Sequence, residues 1–229
     1  MMAERIPLSR PDIGDAERAA VLEVLDSGRL SLGPRLEAFE EALALSAGTR
    51  YAVAASSGTA ALHLAVRGLG LAAGDEVITT PFSFVASANC LLIEGVKPVF
   101  VDVESDTLNI DPQLARRAIG ARTRAILGVD VFGHPADWDA LCALADEFGL
   151  RLLEDSAEAL GSTYRGRRAG GLGDVGTFGF YPNKQISTGE GGALVTDDGE
   201  LARLAASLRN HGREPDGDEW IAHKRLGYN

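Results

Sequence analysis

The residues from Thr177 to Gly192, Thr-Phe-Gly-Phe-Tyr-Pro-Asn-Lys-Gln-Ile-Ser-Thr-Gly-Glu-Gly-Gly, combine residue types and spacing suited to covalent chemistry. Two β-prone runs, Val175 to Tyr181 and Ala193 to Thr196, flank a loop containing Pro182, Asn183, Gly189, Gly191 and Gly192. Lys184 is therefore predicted on a turn between strands, where its amine can be aimed. An aimed amine can attack a carbonyl or carry a proton. Upstream, Arg151 to Asp155 reads as a buried strand ending in carboxylates. Earlier still, Ala54 to Leu64 reads as a strand, a small-residue turn and a helix start. Ser57, Gly58 and Thr59 open that helix, where unpaired N–H groups and the helix dipole favour an anion. Each piece also has an ordinary reading: a surface lysine, an aspartate capping the next helix, a plain turn.

Taken together, the three pieces are what pyridoxal phosphate (PLP) requires: a lysine for a Schiff base, a carboxylate for the pyridinium nitrogen and a helix N-terminus for the phosphate. At these residues the chain resembles the DegT/DnrJ/StrS family of PLP-dependent sugar aminotransferases, within the aspartate-aminotransferase-like fold. The resemblance rests on Ile6 to Ser9, Gly28 to Pro34, Ser57 to Leu62, Thr80 to Phe84, Glu154 to Ala159, Phe180 to Gly192 and the final Gly227-Tyr228-Asn229.

The resemblance implies that Lys184 is the Schiff-base lysine and proton carrier, and that Asp155 keeps the pyridine nitrogen protonated. Ser57, Gly58 and Thr59 would hold the phosphate and Phe84 would stack on the ring, whereas Phe82 is expected in the core. Glu158 stands where many relatives have a glutamine beside the cofactor hydroxyl, and a carboxylate donates only when protonated. Gly179 stands where many have a serine that donates to the phosphate. Asn229 matches an asparagine that reaches the phosphate of the neighbouring subunit's cofactor, which implies a homodimer with shared active sites; the alternative is that this last residue frays. The implied reaction transfers an amino group from an amino acid, glutamate above all, to a nucleotide-linked keto-deoxysugar, as polysaccharide biosynthesis requires. A sugar dehydratase of the same family is the alternative, although by resemblance those enzymes replace the lysine with histidine. An inactive fragment acting only as a binding partner is another. Members of the family continue past Gly-Tyr-Asn into a C-terminal small domain, so the chain is expected to represent the large domain with the small domain absent.

At 229 residues and 45% hydrophobic composition the chain can bury a sizeable core. The net charge of −11, with acidic residues spread along the chain, leaves no basic footprint for nucleic acid or a membrane surface. Cys90 and Cys142 lack metal-ligand spacing and fit buried thiols in a reducing compartment. Glu4, Arg5, Arg10 and Asp12 interrupt any signal-like run, and no stretch approaches the ~20 apolar residues of a membrane span. The expectation is a cytoplasmic protein with no nucleic-acid or membrane partner and no bound metal.

Two helices, Ala16 to Leu25 and Arg35 to Leu45, are predicted in an N-terminal segment over residues 1–48. From Tyr51 strands and helices alternate: strands over 51–55, 76–80, 98–103, 125–132 and 151–154, helices over 59–68, 84–93, 112–119 and 138–148. Apolar strands of this length separated by helices indicate an α/β fold with a mainly parallel sheet covered on both faces. A turn-rich basic stretch follows at Gly161 to Gly173, then the two strands around Lys184 and a helix over Glu200 to Asn210. Residues 49–210 are expected to form the PLP-binding domain and 211–229 the start of a connection onward. His63 reads as a satisfied core histidine, His134 as solvent-exposed, and Arg165, Arg167 and Arg168 as a solvated face.

Overall fold

The computed structural model describes residues 6, 7, 9–214 and 222–229. Leu8 of the expected N-terminal arm and residues 215–221 of the expected connection lie outside them. The chain begins with α1 (Asp15–Ser27) and α2 (Pro34–Ala47). Then follow β1 (Tyr51–Ala55), α3 (Gly58–Gly68), β2 (Glu76–Thr79), α4 (Ala86–Ile93), β3 (Lys97–Phe100) and α5 (Pro112–Ala118). After these come β4 (Thr123–Val129), α6 (Trp138–Phe148), β5 (Arg151–Asp155) and the short strands β6 (Thr163–Tyr164) and β7 (Arg167–Arg168). The chain closes with β8 (Val175–Gly179), β9 (Gly192–Thr196) and α7 (Gly199–Leu208). Local chemistry starts several of the helices: Ser57, Asp111, Asp137 and Asp198 each accept backbone N–H groups at an N-cap.

Seven strands form one sheet in the order β1-β9-β8-β5-β4-β2-β3. Strands β3, β2, β4, β5 and β8 run parallel, while β9 is antiparallel to both β8 and β1. Side chains alternate across the sheet as period two requires. Ala125, Leu127, Val129, Leu153 and Val175 join α3, α4 and α7 on one face. On the other face Ile126 and Leu152 pack with α6, and Phe178, Ala193 and Val195 with Leu43 and Ala47 of α2. The mainly parallel α/β fold expected from the sequence is the fold observed.

Several boundaries differ from the sequence reading for identifiable reasons. Strand β4 stops at Val129, because Asp130 turns its carboxylate to accept Ala136 N and Trp138 Nε1, and Phe132 adopts a left-handed backbone (φ 53°) in a 3-10 turn. Helix α4 begins at Ala86 rather than Phe84, since Phe84 closes a turn by accepting Ser87 N. Arg165 and Arg167 are tied to Asp139, so the basic stretch is partly neutralised in place. Cys90 is buried and Cys142 half-buried; both are free. Among the described residues no helix is long and apolar enough to cross a membrane.

The antiparallel strand β9 touches the turn that precedes α3. A Cβ on Gly192 would lie 2.3 Å from Ser57 O and 2.5 Å from Gly58 N, closer than any side-chain carbon can approach backbone. Gly192→Ala is therefore expected to force the two segments apart and destabilise the fold by about 1–3 kcal/mol, the usual cost of overpacking. Urea denaturation of the variant against the parent checks this, and an unchanged midpoint contradicts it.

Candidate active site

In parallel sheets, ligands bind beyond the carboxyl ends of the strands, where successive connections leave in opposite directions. Here that point lies between β2 and β4, because β3 flanks β2 on one side and β4 on the other. A pocket of about 270 Å³ opens there, walled by Pro81 to Phe84 after β2, Val129 to Phe132 after β4, and Asp155, Ala157, Glu158 and Lys184.

Lys184 sits on the β8–β9 connection, where its N–H donates to Tyr181 O at 2.9 Å. Its Nζ lies 3.3 Å from Glu158 Oε1, and the lysine side chain is only 18% exposed. The other Glu158 oxygen accepts Phe132 N at 3.1 Å. The glutamate thus joins the lysine loop to the β4 loop, using both carboxylate oxygens as acceptors.

Asp155 closes β5 and faces the pocket from below, 6% exposed. Burial pushes its carboxyl above the usual range, while hydrogen bonds from Ser87 Oγ (2.6 Å) and Ala157 N (3.2 Å) pull the other way. The preceding residue, Glu154, projects to the opposite face and binds the turn before β8 through Gly170 N, Leu172 N and Gly173 N.

Ser57, Gly58 and Thr59 lie beside this pocket at the start of α3, with Ser57 Oγ accepting Ala60 N at 3.1 Å. Gly179, at the end of β8, bridges the two regions: a Cβ there would be 3.9 Å from both Gly58 Cα and Lys184 Cε. Those are ordinary contacts, so a serine at this position would have room for its Cβ. Phe84 is 78% exposed on the pocket wall. Phe82, expected in the core, is 42% exposed and meets the Phe132 ring edge-on at 6.1 Å. The turn between β2 and α4 is short, and it presents both rings to the pocket instead of burying one.

Asn229 does not meet Lys184 within the chain. It is exposed and lines a separate pocket of about 430 Å³ with Arg29, Ser31, Ser56, His63, Arg209 and Tyr228, among others. Tyr228 holds this end in place: its ring lies 4.6 Å from that of His63, and its hydroxyl bonds Arg67 Nη1 (2.9 Å) and Glu94 Oε1 (3.1 Å). His63 is satisfied by Glu94 Oε1 at 2.5 Å, and His134 is exposed.

A half-buried amine, a buried carboxylate and a helix N-terminus with half-buried Ser57 and Gly58 and exposed Thr59 are compatible in chemistry with an aldehyde, a ring nitrogen and a phosphate. Asp155 has no ion pair among the described residues although the Lys184 charge acts on it, Lys184 approaches the α3 N-terminus by way of Gly179, and the Phe84 ring is exposed on the pocket wall. Residues 11–229 match the model of the DegT/DnrJ/EryC1/StrS aminotransferase family. The chain belongs to that family. It is 45% identical over 207 residues to the spore coat polysaccharide biosynthesis protein SpsC of Bacillus subtilis (strain 168), covering 90% of this chain and 53% of the relative. Identity is 49% over 195 residues to the dTDP-3-amino-3,4,6-trideoxy-alpha-D-glucose transaminase of Streptomyces venezuelae, covering 85% and 52%. The fold superposes on Helicobacter pylori PseC, an aminotransferase involved in the biosynthesis of pseudoaminic acid, with a TM-score of 0.94 at 37% identity, covering 99% of this chain and 61% of that one. The chain spans about half the length of the curated relatives it matches.

Three features of this pocket escape a reading of the sequence. Phe132 enters the pocket only because of its left-handed backbone, which nothing in Val-Phe-Gly-His demands of a phenylalanine. Ser87 reaches Asp155 across the sheet face, and its one local signal is a Ser-x-x-x-Ser spacing from Ser83. Asp130 is the third.

Ser156 bridges the Asp130 and Glu154 carboxyls. The Ser156 hydroxyl oxygen lies 2.7 Å from both Asp130 Oδ2 and Glu154 Oε1, yet it carries one hydrogen and can donate to only one of them. The second contact needs a carboxyl proton. Burial and the nearby Asp130 charge push Glu154 up to about 8, so the proton resides on Glu154 at neutral pH. A carboxyl raised in the folded state binds more protons there than in the unfolded chain, so stability falls as pH rises from about 4.5 to about 8 and levels off above. Asp155, also raised, acts in the same direction. Denaturation midpoints taken across this range are expected to drop with pH, and to drop less in Glu154→Gln; an equal slope in the two proteins contradicts the assignment.

Proposed function

We propose that the chain is the cofactor-binding part of a PLP-dependent aminotransferase acting on a nucleotide-linked keto-deoxysugar, with an amino acid, L-glutamate in our reading, as amino donor. The observation that carries this is the meeting of Lys184 and Asp155 in one pocket beside the α3 N-terminus. The transaminase activity of the Streptomyces relative supports the reaction and the sugar nucleotide, and the spore coat relative supports a place in polysaccharide synthesis. The presence of Lys184, rather than a histidine, favours amino transfer over dehydration.

Ser57, Gly58 and Thr59 would hold the phosphate, Asp155 the ring nitrogen and Phe84 the ring face. When bound, PLP supplies an electrophilic carbonyl and an electron sink for a carbanion. Lys184 attaches the cofactor and, once its amine is free, moves the proton within the pocket. Glu158 sets where that amine rests, through the 3.3 Å ion pair and its anchor on Phe132 N. Asp155 stabilises positive charge at the pocket floor, an effect strengthened by its burial.

Asn229 serves the cofactor phosphate of a second copy in this reading. Its separate, exposed position beside the α3 turn supports a homodimer with shared sites. The protein is cytoplasmic in the same reading, with residues 1–48, 49–210 and 211–229 forming an N-terminal segment, the cofactor-binding domain and a connection.

Borohydride reduction in the presence of PLP, followed by peptide mapping, is expected to label Lys184, and Lys184→Ala to remove the label. Modification of Lys97 or Lys224 instead overturns the assignment. Asp155→Asn is expected to retain PLP while its half-reaction with excess glutamate slows by about 100-fold or more, the order found when one preorganised electrostatic partner is lost. Near-parental rates would show that this carboxylate does not serve the ring.

A further inference from the structure

Asp155 is a carboxylate kept in a place that disfavours charge, and what keeps it there is a chain of two hydroxyls. Its Oδ2 accepts Ser87 Oγ at 2.6 Å, and Ser87 Oγ lies 2.7 Å from Ser83 Oγ. Ser87 is in the first turn of α4 and only 2% exposed, while Ser83, one helical turn earlier, is half-buried on the pocket wall. The direction of the chain follows from counting hydrogens. The Ser87 hydroxyl donates its single hydrogen to Asp155 Oδ2, so Ser87 must accept from Ser83. The relay therefore runs Ser83 to Ser87 to Asp155, and each bond polarises the next.

We propose that Ser87, oriented by Ser83, is a positioning residue that fixes the Asp155 carboxylate and favours its charged form toward the pocket. The proposal rests on the reading of Asp155 as the partner of the cofactor's ring nitrogen. With Ser87 on Oδ2 and Ala157 N on Oδ1, both oxygens are pinned, so the carboxylate plane cannot rotate freely. The charged and titratable groups around it do not replace this hydroxyl. Asp130, at the end of β4, opposes ionisation of Asp155, as burial does. Cys90, one turn further along α4, is pushed up to about 12 by burial and by Asp155, and stays neutral. Glu154, beyond Asp130, retains its proton up to about pH 8. Lys184 favours the charge, but its ammonium is committed to Glu158 at 3.3 Å. Ser87 is the side chain that donates a hydrogen bond to Asp155 among the described residues.

The test is a pH titration of the Asp155 carboxyl by carbon-13 NMR on the 229-residue chain without cofactor, with Asp155→Asn used to assign the signal. The chain is compared with Ser87→Ala, Ser87→Thr and Ser83→Ala, all checked for folding by denaturation midpoint. Asp155 is expected to titrate at higher pH in Ser87→Ala, to shift less in the same direction in Ser83→Ala, and to return to the parental value in Ser87→Thr, which restores the hydroxyl. An unmoved Asp155 titration in Ser87→Ala overturns the proposal. Should that variant fail to fold, an unmoved titration in Ser83→Ala overturns it instead, and an upward shift there supports it. Addition of PLP separates the two layers: an upward shift in the apo variant with no response of the Asp155 signal to PLP in the parent supports the hydroxyl relay and contradicts the cofactor reading.

Discussion

The energetic constraint on this molecule is the burial of carboxylates at the end of β5. Moving an ionised carboxyl out of water is costly unless hydrogen bonds or a paired cation take over from solvent. The chain places two such groups in succession, and the strand period sends them to opposite faces. Glu154 is handled by protonation and by three backbone donors from the turn before β8. Asp155 is handled by a hydroxyl, a backbone N–H and proximity to an ammonium. One carboxyl thereby becomes part of the scaffold, and its neighbour faces a pocket. The same division keeps like charges apart, since a second full charge on Glu154 would face Asp130 across a single serine.

Around this point the connecting loops are interdependent. Asp130 shapes the turn that carries Phe132; Phe132 N anchors Glu158; Glu158 meets Lys184; and the lysine loop leads into β9, whose first glycine supports the turn before α3. A change at any one of these loops is transmitted to the next through carboxylate side chains that bridge one loop's backbone or amine to another. That continuity suits a site whose groups must keep fixed distances.

The sheet was readable from the sequence because apolar runs such as Ala125 to Val129 and Leu152 to Leu153 alternate with amphipathic helices capped by serine and aspartate. Lys184, Asp155, Glu158 and Phe84 were readable because they stand in motifs, and the fold brings them to one pocket. What the motifs could not convey is the third dimension. The contact of Ser87 with Asp155 spans the gap between α4 and β5, and the Glu158 carboxylate gains its anchor from a backbone N–H whose direction depends on one left-handed residue. Phe82 was misread because hydrophobicity alone does not distinguish a core ring from one lining a cleft. Asn229 stands apart from Lys184, and short-range sequence pattern has no bearing on where a terminal residue comes to rest.

The strand order has a consequence for how the chain is made. Strand β1 is at the sheet edge and pairs with β9, which is separated from it by most of the domain. During synthesis β1 and the turn leading into α3 emerge first, yet neither has its sheet neighbour until β9 has left the ribosome. At a synthesis rate of roughly 5–20 residues per second, that is a wait of several seconds or more, during which β2 to β5 can pair among themselves. The long-range closure is costly in chain entropy and comes late. The turn into α3 therefore gains its β9 contact last, in the same event that docks the lysine loop, so a nascent chain with half its sheet formed has neither in place.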